Sequence, residues 1–358
     1  MKTLAKSVLG LLAAAITLTF TSTVSAQVTE EPAPVQIAED YNENYGTTAY
    51  SEAADLTAEA VTRAVPIKPS VLEGKASYST GGVSLRNRGA GNISISGLVG
   101  APRVTFIYWA VITAGAVPAV TKSVELQRLY PVPASAPVVL NGAAVGAGPA
   151  PCWGPQGAVI TVYRALVPPA IAVGNGSYQV TLLKGAAGLA NGADPWLGAP
   201  VLPLWEGASL VMIGNGVGTV SIFDLGLAGK TFAPNPNPFN YVLALPVAPT
   251  GKRTLLDNIG ADGQHVSTAS RLDVTSMSDE TTTINGVPVA GPGSDYVDSD
   301  WNGSSGLPVA ELWDDTGHNI TNVIQNAAGA PMNLNIVIHS ALAPADCLTP
   351  VANVVEED

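Results

Sequence analysis

The chain has 358 residues, a formal net charge of −12, and only 12% charged against 47% hydrophobic side chains. That length is ample for one large core or two fused ones. An acidic chain without clustered Lys and Arg cannot neutralise nucleic-acid phosphates, so nucleic acid is excluded as a partner, and it gains nothing from an anionic membrane surface.

Residues 1–26 read as a secretory signal peptide. Lys2 and Lys6 form a basic start, Val8 to Phe20 is apolar, and Val24-Ser25-Ala26 is a small-residue cleavage pattern before Gln27. The apolar run of 13 residues is too short for a bilayer span, which needs roughly 20. Cleavage removes two lysines and takes the net charge from −12 to −14. The expected product is secreted or held at the cell surface. No later run is long and apolar enough to predict a transmembrane helix.

Residues 27–70 are acidic, carry Pro32 and Pro34, and contain one helix candidate, Glu52 to Ala64. They read as a flexible leader or propeptide. From Ala76 the signal is short, turn-bounded strands rich in Val, Ile, Thr and Tyr. Asn92 to Leu98 alternates, and Arg103 to Ile112 is apolar on both faces, which predicts a central strand. Residues 113–156, rich in Pro, Ala and Gly, predict a long surface loop or short edge strands. Ala158 to Leu166 and Ser177 to Leu183 predict further strands. Ser209 to Ile213 and Thr219 to Phe223 flank Gly214-Asn215-Gly216, which predicts a hairpin. Asn240 to Leu245, Arg271 to Val274 and Thr281 to Val287 follow. Met332, Leu334, Ile336 and Ile338 alternate with polar residues and predict a half-buried last strand. The fold expectation is an all-β, antiparallel, jelly-roll-like sandwich with long Pro/Gly-rich loops. It occupies residues 71–348, as one sandwich or two fused ones, and residues 349–358 form an acidic tail.

Cys152 and Cys347 are the only cysteines, and outside the cytoplasm an even pair predicts a disulfide. The densest oxygen cluster is Asp298, Asp300, Asn302 and Gly303. Oxygen side chains at alternate positions before a glycine match the first half of a calcium loop. The acid at its twelfth position is missing, since Val309 stands there, so Asp295, Glu311, Asp314 and Asp315 are the candidates to complete a structural calcium shell. A self-capped Asp/Asn turn is the competing account. Asp257-Asn258-Ile-Gly260-Ala-Asp262-Gly-Gln-His265 reads as a tight turn, with a polar pocket as the alternative.

The three histidines, His265, His318 and His339, lie in no zinc pattern. There is no Gly-x-Ser-x-Gly elbow, and no catalytic residue is assigned. Paired carboxylates for glycoside hydrolysis are possible in principle, for instance Glu206 with an acid from 295–315. Trp109 reads as core, and Trp153, Trp196 and Trp301 as candidate sugar platforms against a packing role.

Trp205 to Ile213, Val220 to Asp224, Asp262-Gly-Gln264, Asn285-Gly286, Asp298 to Gly303 and Leu312-Trp-Asp314 together resemble an uncharacterised β-domain of secreted and cell-surface proteins of bacteria and archaea. The resemblance spans roughly residues 100–340 and implies an extracellular β-rich module with no assigned catalytic residues. The expectation is an exported non-enzymatic protein with a structural, adhesive or ligand-binding role. Its expected partners are a carbohydrate, a cell-surface protein or a second copy of itself. An extracellular hydrolase of polysaccharide or peptide, and a filament or coat subunit, are the alternatives.

Overall fold

The computed structural model of the chain describes residues 65–114, 119–150, 157–183, 202–225, 239–246, 250–261, 280–291, 300, 301, 303, 305, 313–324, 332–340 and 348–358. The predicted signal peptide, most of the predicted leader with its helix candidate, the strand predicted at 271–274 and both cysteines lie outside the described residues. Helix among the described residues is confined to a 3-10 turn at Ala119–Lys122 and one α-turn at Thr321–Ile324. No described helix is long and apolar enough to cross a membrane.

The strands are β1 (Val71–Ser84), β2 (Ala90–Ile95), β3 (Val104–Ala114), β4 (Ser123–Tyr130), β5 (Val138–Asn141), β6 (Ala143–Pro149), β7 (Ala158–Leu166) and β8 (Gly176–Leu182). They continue with β9 (Leu204–Asp224), β10 (Phe239–Ala244), β11 (Thr254–Ala261), β12 (Glu280–Ile284), β13 (Val287–Ala290), β14 (Trp313–Asn319), β15 (Asn333–Ser340) and β16 (Thr349–Glu357). Every strand pair is antiparallel, so the expected all-β sandwich is what the chain forms. The large sheet runs β14-β11-β16-β9-β3-β7-β6, with β1 on the other edge of β9. Two four-stranded sheets, β2-β8-β4-β5 and β10-β15-β12-β13, complete the layers.

Alternation distributes the apolar residues among three cores. In β3, Ile107, Trp109 and Val111 point toward β2-β8-β4-β5 and meet Ile93, Leu126 and Val180. The residues between them, Tyr108, Ala110 and Ile112, join Ile259, Trp313, Ala352 and Val354 in a second cluster. Both faces of β3 are therefore covered, as its unbroken apolar sequence requires. A third core sets Phe223, Leu256 and Val355 against Tyr241, Leu334, Ile336 and Ile338.

The predicted hairpin at 214–216 does not form. β9 is one strand that pairs with β1 along nearly its whole length. Its other edge pairs first with β3 (Leu204 to Ile213) and then with β16 (Thr219 to Asp224). Ala76 stands opposite both Asn215 and Gly218, so the intervening glycine-rich residues are a bulge, not a reversal. The bulge also shifts the alternation. Val211 and Ile213 before it, and Val220 and Ile222 after it, all face the second cluster, while the opposite face changes from Leu210 and Met212 in the first core to Phe223 in the third.

Three further expectations change. The acidic tail is β16, a fully buried strand between β9 and β11. Its acids are accommodated at one end: Arg253 pairs with Glu356 and also reaches Asp358. The strand predicted as last is β15, with β16 after it. Residues 65–70, counted with the leader, are tied down: Ile67 bridges Leu243 of β10, and the Ser70 amide donates to the Ile222 carbonyl. The strand predicted over Thr281–Val287 breaks at Asn285-Gly286, where both residues take the positive φ that a tight hairpin demands.

A chain lacking residues 349–358 leaves β9 and β11 each with an unpaired edge and opens two cores. It is expected to lose its cooperative thermal transition in circular dichroism, whereas removal of a solvated tail would leave the transition in place.

Candidate functional site

β11 and β14 carry the residues that sequence reading placed in loops. Their register sets Leu256 opposite His318, Asp257 opposite Gly317, Ile259 opposite Asp315 and Gly260 opposite Asp314. Opposed residues share a face and neighbours alternate, so the acids divide between two sides of the large sheet. Asp257 and Asp315 share the face of Ile259 and Trp313. Asp314 and His318 share the face of Leu256, toward the third core.

On the first side, Tyr78 Oη donates to Asp257 Oδ1 at 2.9 Å, and Thr80 Oγ1 donates to Asp257 Oδ2. The Ser209 and Thr80 hydroxyls also lie against Asp315. Ser209 Oγ accepts from Trp313 Nε1 at 2.9 Å. The Gly317 position leaves room for the Asp257 carboxylate, since a Cβ there would stand 2.5 Å from its Oδ1. Burial raises the Asp257 carboxyl above its ordinary range, against the lowering effect of the two hydroxyls. Burial, then the neighbouring Asp257 charge, pushes Asp315 up to about 7. The Tyr78 phenol is raised well above its usual value by burial and then by Asp257.

On the second side, His318 Nε2 pairs with Asp300 Oδ1, both groups buried. Asp314 Oδ2 accepts the Gly303 amide at 3.1 Å. Nearby, Tyr241 Oη donates to Asn353 Oδ1 at 2.9 Å, and Asn353 Nδ2 donates to Asn258 Oδ1 at 3.0 Å. Trp301 is fully buried over Gly260, where a Cβ would meet its ring at 2.4 Å. That overturns Trp301 as a sugar platform; Trp153 and Trp196 lie outside the described residues. His318 is buried as well, as the partner of Asp300. Trp109 is core, as read.

Of the calcium candidates, Asp295, Asp298, Asn302 and Glu311 lie outside the described residues, as do Asp262 and His265. Asp300 and Asp314 are described and buried. Their partners, His318 and Gly303, occupy separate points, because His318 and Asp314 are four residues apart on β14, roughly 13 Å along a strand. Among the described residues no group of three His, Cys, Asp or Glu could hold a metal ion. Among the described residues, Asp300 Oδ2 is one of several buried carboxylate oxygens without a hydrogen-bond partner.

Glu206, the acid considered for pairing with one from 295–315, is buried in an ion pair with Arg86. Burial raises its carboxyl, and the guanidinium opposes that shift. Sequence reasoning missed this pair, and the Tyr78 and Thr80 hydroxyls, because it began its strand signal at Ala76 but bounded no strand before Asn92. The alternation Ala76, Tyr78, Thr80 against Ser77, Ser79 was the available signal.

No family model matches the sequence, and no curated protein matches it. A solved structure, that of a peptide-N(4)-(N-acetyl-β-D-glucosaminyl) asparagine amidase, aligns over 79% of this chain and 96% of its own, with 8% identity and a TM-score of 0.26. A likeness that distant assigns nothing to this chain.

Two outcomes follow from the buried acids. Asp315 titrates near 7 when folded and roughly near 4 when unfolded, so the folded state holds the proton more tightly. That stabilisation is complete below about pH 4 and is lost as pH rises through about 7. Glu357, pushed by burial to about 7, acts in the same direction. The melting temperature is expected to fall between about pH 5 and pH 8, and Asp315→Asn to flatten part of that fall in calorimetric scans. Glu206→Ala leaves the Arg86 guanidinium buried without its carboxylate and is expected to cost roughly 3–5 kcal/mol in urea unfolding.

Proposed function

We propose that this chain is an exported, non-enzymatic β-sandwich protein with a structural, adhesive or ligand-binding role outside the cell. One observation carries the reading: the chemistry-bearing side chains of the described fold are used to tie strands together. Asp257 holds two hydroxyls of β1, Glu206 holds Arg86, Asp300 holds His318, and Glu356 holds Arg253. A catalytic acid needs a face toward substrate, whereas these carboxylates face neighbouring strands. The signal sequence supports export.

Calcium belongs to the proposal as a stabiliser of the loop between Asp295 and Asp314. Its support is the alternating oxygen pattern together with the buried, unpartnered Asp300 Oδ2. Asp298, Asp300 and Asn302 would supply the oxygens, with Asp295 or Glu311 completing them. Melting in millimolar calcium is expected several degrees above melting in a chelator, and Asp298→Ala is expected to remove the difference. Equal melting curves with no ion detected by native mass spectrometry contradict a calcium role.

A second reading, an extracellular hydrolase, draws on the raised carboxyls of Asp257 and Asp315, since perturbed acids gather at active sites. Incubation of the purified chain with polysaccharide and peptide panels separates the two readings. The scaffold predicts no new reducing ends or amines. Turnover that Asp257→Asn and Asp315→Asn both abolish establishes the hydrolase instead.

A further inference from the structure

Four places in the sequence carry Asn, a residue other than Pro, and then Ser or Thr: Asn92-Ile-Ser94, Asn175-Gly-Ser177, Asn302-Gly-Ser304 and Asn319-Ile-Thr321. On an exported chain that pattern is the acceptor signal for an N-linked glycan. The signal is short and arises readily by chance, so the fold has to select among the four. An attaching enzyme must reach the amide nitrogen and hold the hydroxyl two residues on, both at once.

Asn175 is exposed, but its amide is fully engaged: Nδ2 donates to the Leu98 carbonyl and Oδ1 accepts the Leu98 amide, each at 2.9 Å. Asn92 is exposed on β2, yet its triplet lies extended and is paired with Gln179, Tyr178 and Ser177 of β8. Residues two apart on a strand stand roughly 7 Å apart, so this amide and hydroxyl are held away from each other. Asn92 Oδ1 also accepts from Gln179 Nε2 at 3.3 Å. Asn302 and Ser304 lie outside the described residues.

Asn319 is different. It is the last residue of β14, an edge strand of the large sheet, and it is exposed. Ile320 is buried in the third core and pins the centre of the triplet. Asn319 Oδ1 accepts both the Thr321 amide at 3.1 Å and the Thr321 hydroxyl at 2.5 Å. Thr321 Oγ1 is itself positioned by the Thr254 amide, which donates to it at 2.9 Å. Amide and hydroxyl therefore meet on the surface, on a turn whose middle residue is fixed. A turn that opens the α-turn at Thr321–Ile324 accounts for the use of Oδ1. It makes no use of Nδ2, the atom to which a sugar attaches, and Nδ2 has no hydrogen bond among the described residues.

We propose that Asn319 is an acceptor for an N-linked glycan. The donor class is an oligosaccharide carried on a lipid pyrophosphate. Asn319 Nδ2 forms a bond to the anomeric carbon of the first sugar, and the bond from that carbon to the phosphate oxygen breaks. The lipid pyrophosphate leaves with the electron pair, and one amide proton passes to a base of the transferase. The inference rests on the export reading, since the signal is read on exported chains. A glycan at this position stands at the end of an edge strand, where bulk hinders pairing with a strand of another molecule.

Mass spectrometry of the chain recovered from the cells that produce it, intact and as peptides, tests the proposal. Glycan mass is expected on the peptide that holds Asn319 and not on the one that holds Asn175. Asn319→Gln and Thr321→Ala are expected to abolish it, and Thr321→Ser, which keeps the hydroxyl, to retain it. Thr321→Ala also leaves the Thr254 amide without its acceptor. If that variant folds poorly in thermal melts, Asn319→Gln at its exposed site and Thr321→Ser still decide the matter. A chain found outside the cell, starting at Gln27 and bare at Asn319, overturns this proposal alone. A bare chain kept inside the cell with Met1 in place overturns it together with the export reading. Equal occupancy at Asn175, or a glycan that survives Thr321→Ala, shows that the turn at 319 does not select, and overturns it as well.

Discussion

Strand β9 has to serve two sandwiches without reversing direction. Its 21 residues would extend on the order of 70 Å if fully regular, and a strand that long accumulates twist that a flat layer cannot absorb. The glycine-rich bulge at 214–218 relieves this. It adds residues on one strand against one on the partner, bends the ladder, and resets which side chains face which layer. Everything on either side depends on that reset. Without it, the residues that follow would turn Val220 and Ile222 away from the shared cluster and bring Ser221 and Phe223 into it. The three cores are thus coupled through one continuous backbone, and β1 follows the same bend along the outer edge.

The buried polar groups fit this frame. Carboxylates inside a protein are costly unless they are paired, and pairing across strands also fixes register. Asp257 joins β11 to β1, Glu206 joins β9 to the chain just after β1, and Glu356 joins β16 to the residue before β11. Each tie connects elements distant in sequence. A slipped register would strand a charge in an apolar layer, so these groups select one arrangement even where they add little net stability. The two tryptophans lying on glycines work similarly. Trp313 covers Gly207 and Trp301 covers Gly260, and any larger residue at either glycine would displace the ring.

The fold class and many of its strands were legible because periodicity reports burial directly. Ala158–Leu166 matched its strand bounds, and the doubly apolar run became β3 between two cores. Three kinds of element were not legible. β11 and β14 are rich in Asp, Asn and Gly, which favour turns locally and become strands only because pairing with each other, and of β11 with β16, overrides that preference. β16 ends in two acids with Asp358 just beyond it, and these obscured the apolar stretch before them. The 214–218 glycines carry the same local signal for a bulge as for a hairpin, and only the partner strand decides between the two. The site suffered most from these misreadings. Its residues come from β1, β9, β11 and β14, and no linear motif relates Tyr78 to Asp257 or Asp300 to His318.

The position of β16 has a consequence for the order of events during synthesis. It lies between β9 and β11, both made well before it, and its side chains complete two separate hydrophobic layers. A nascent polypeptide can assemble the β2-β8-β4-β5 half early, but the wide sheet keeps a gap one ribbon across until residue 357 has emerged. Until that ribbon arrives, β9 and β11 each keep an open edge, so the last residues made are the ones that close the molecule.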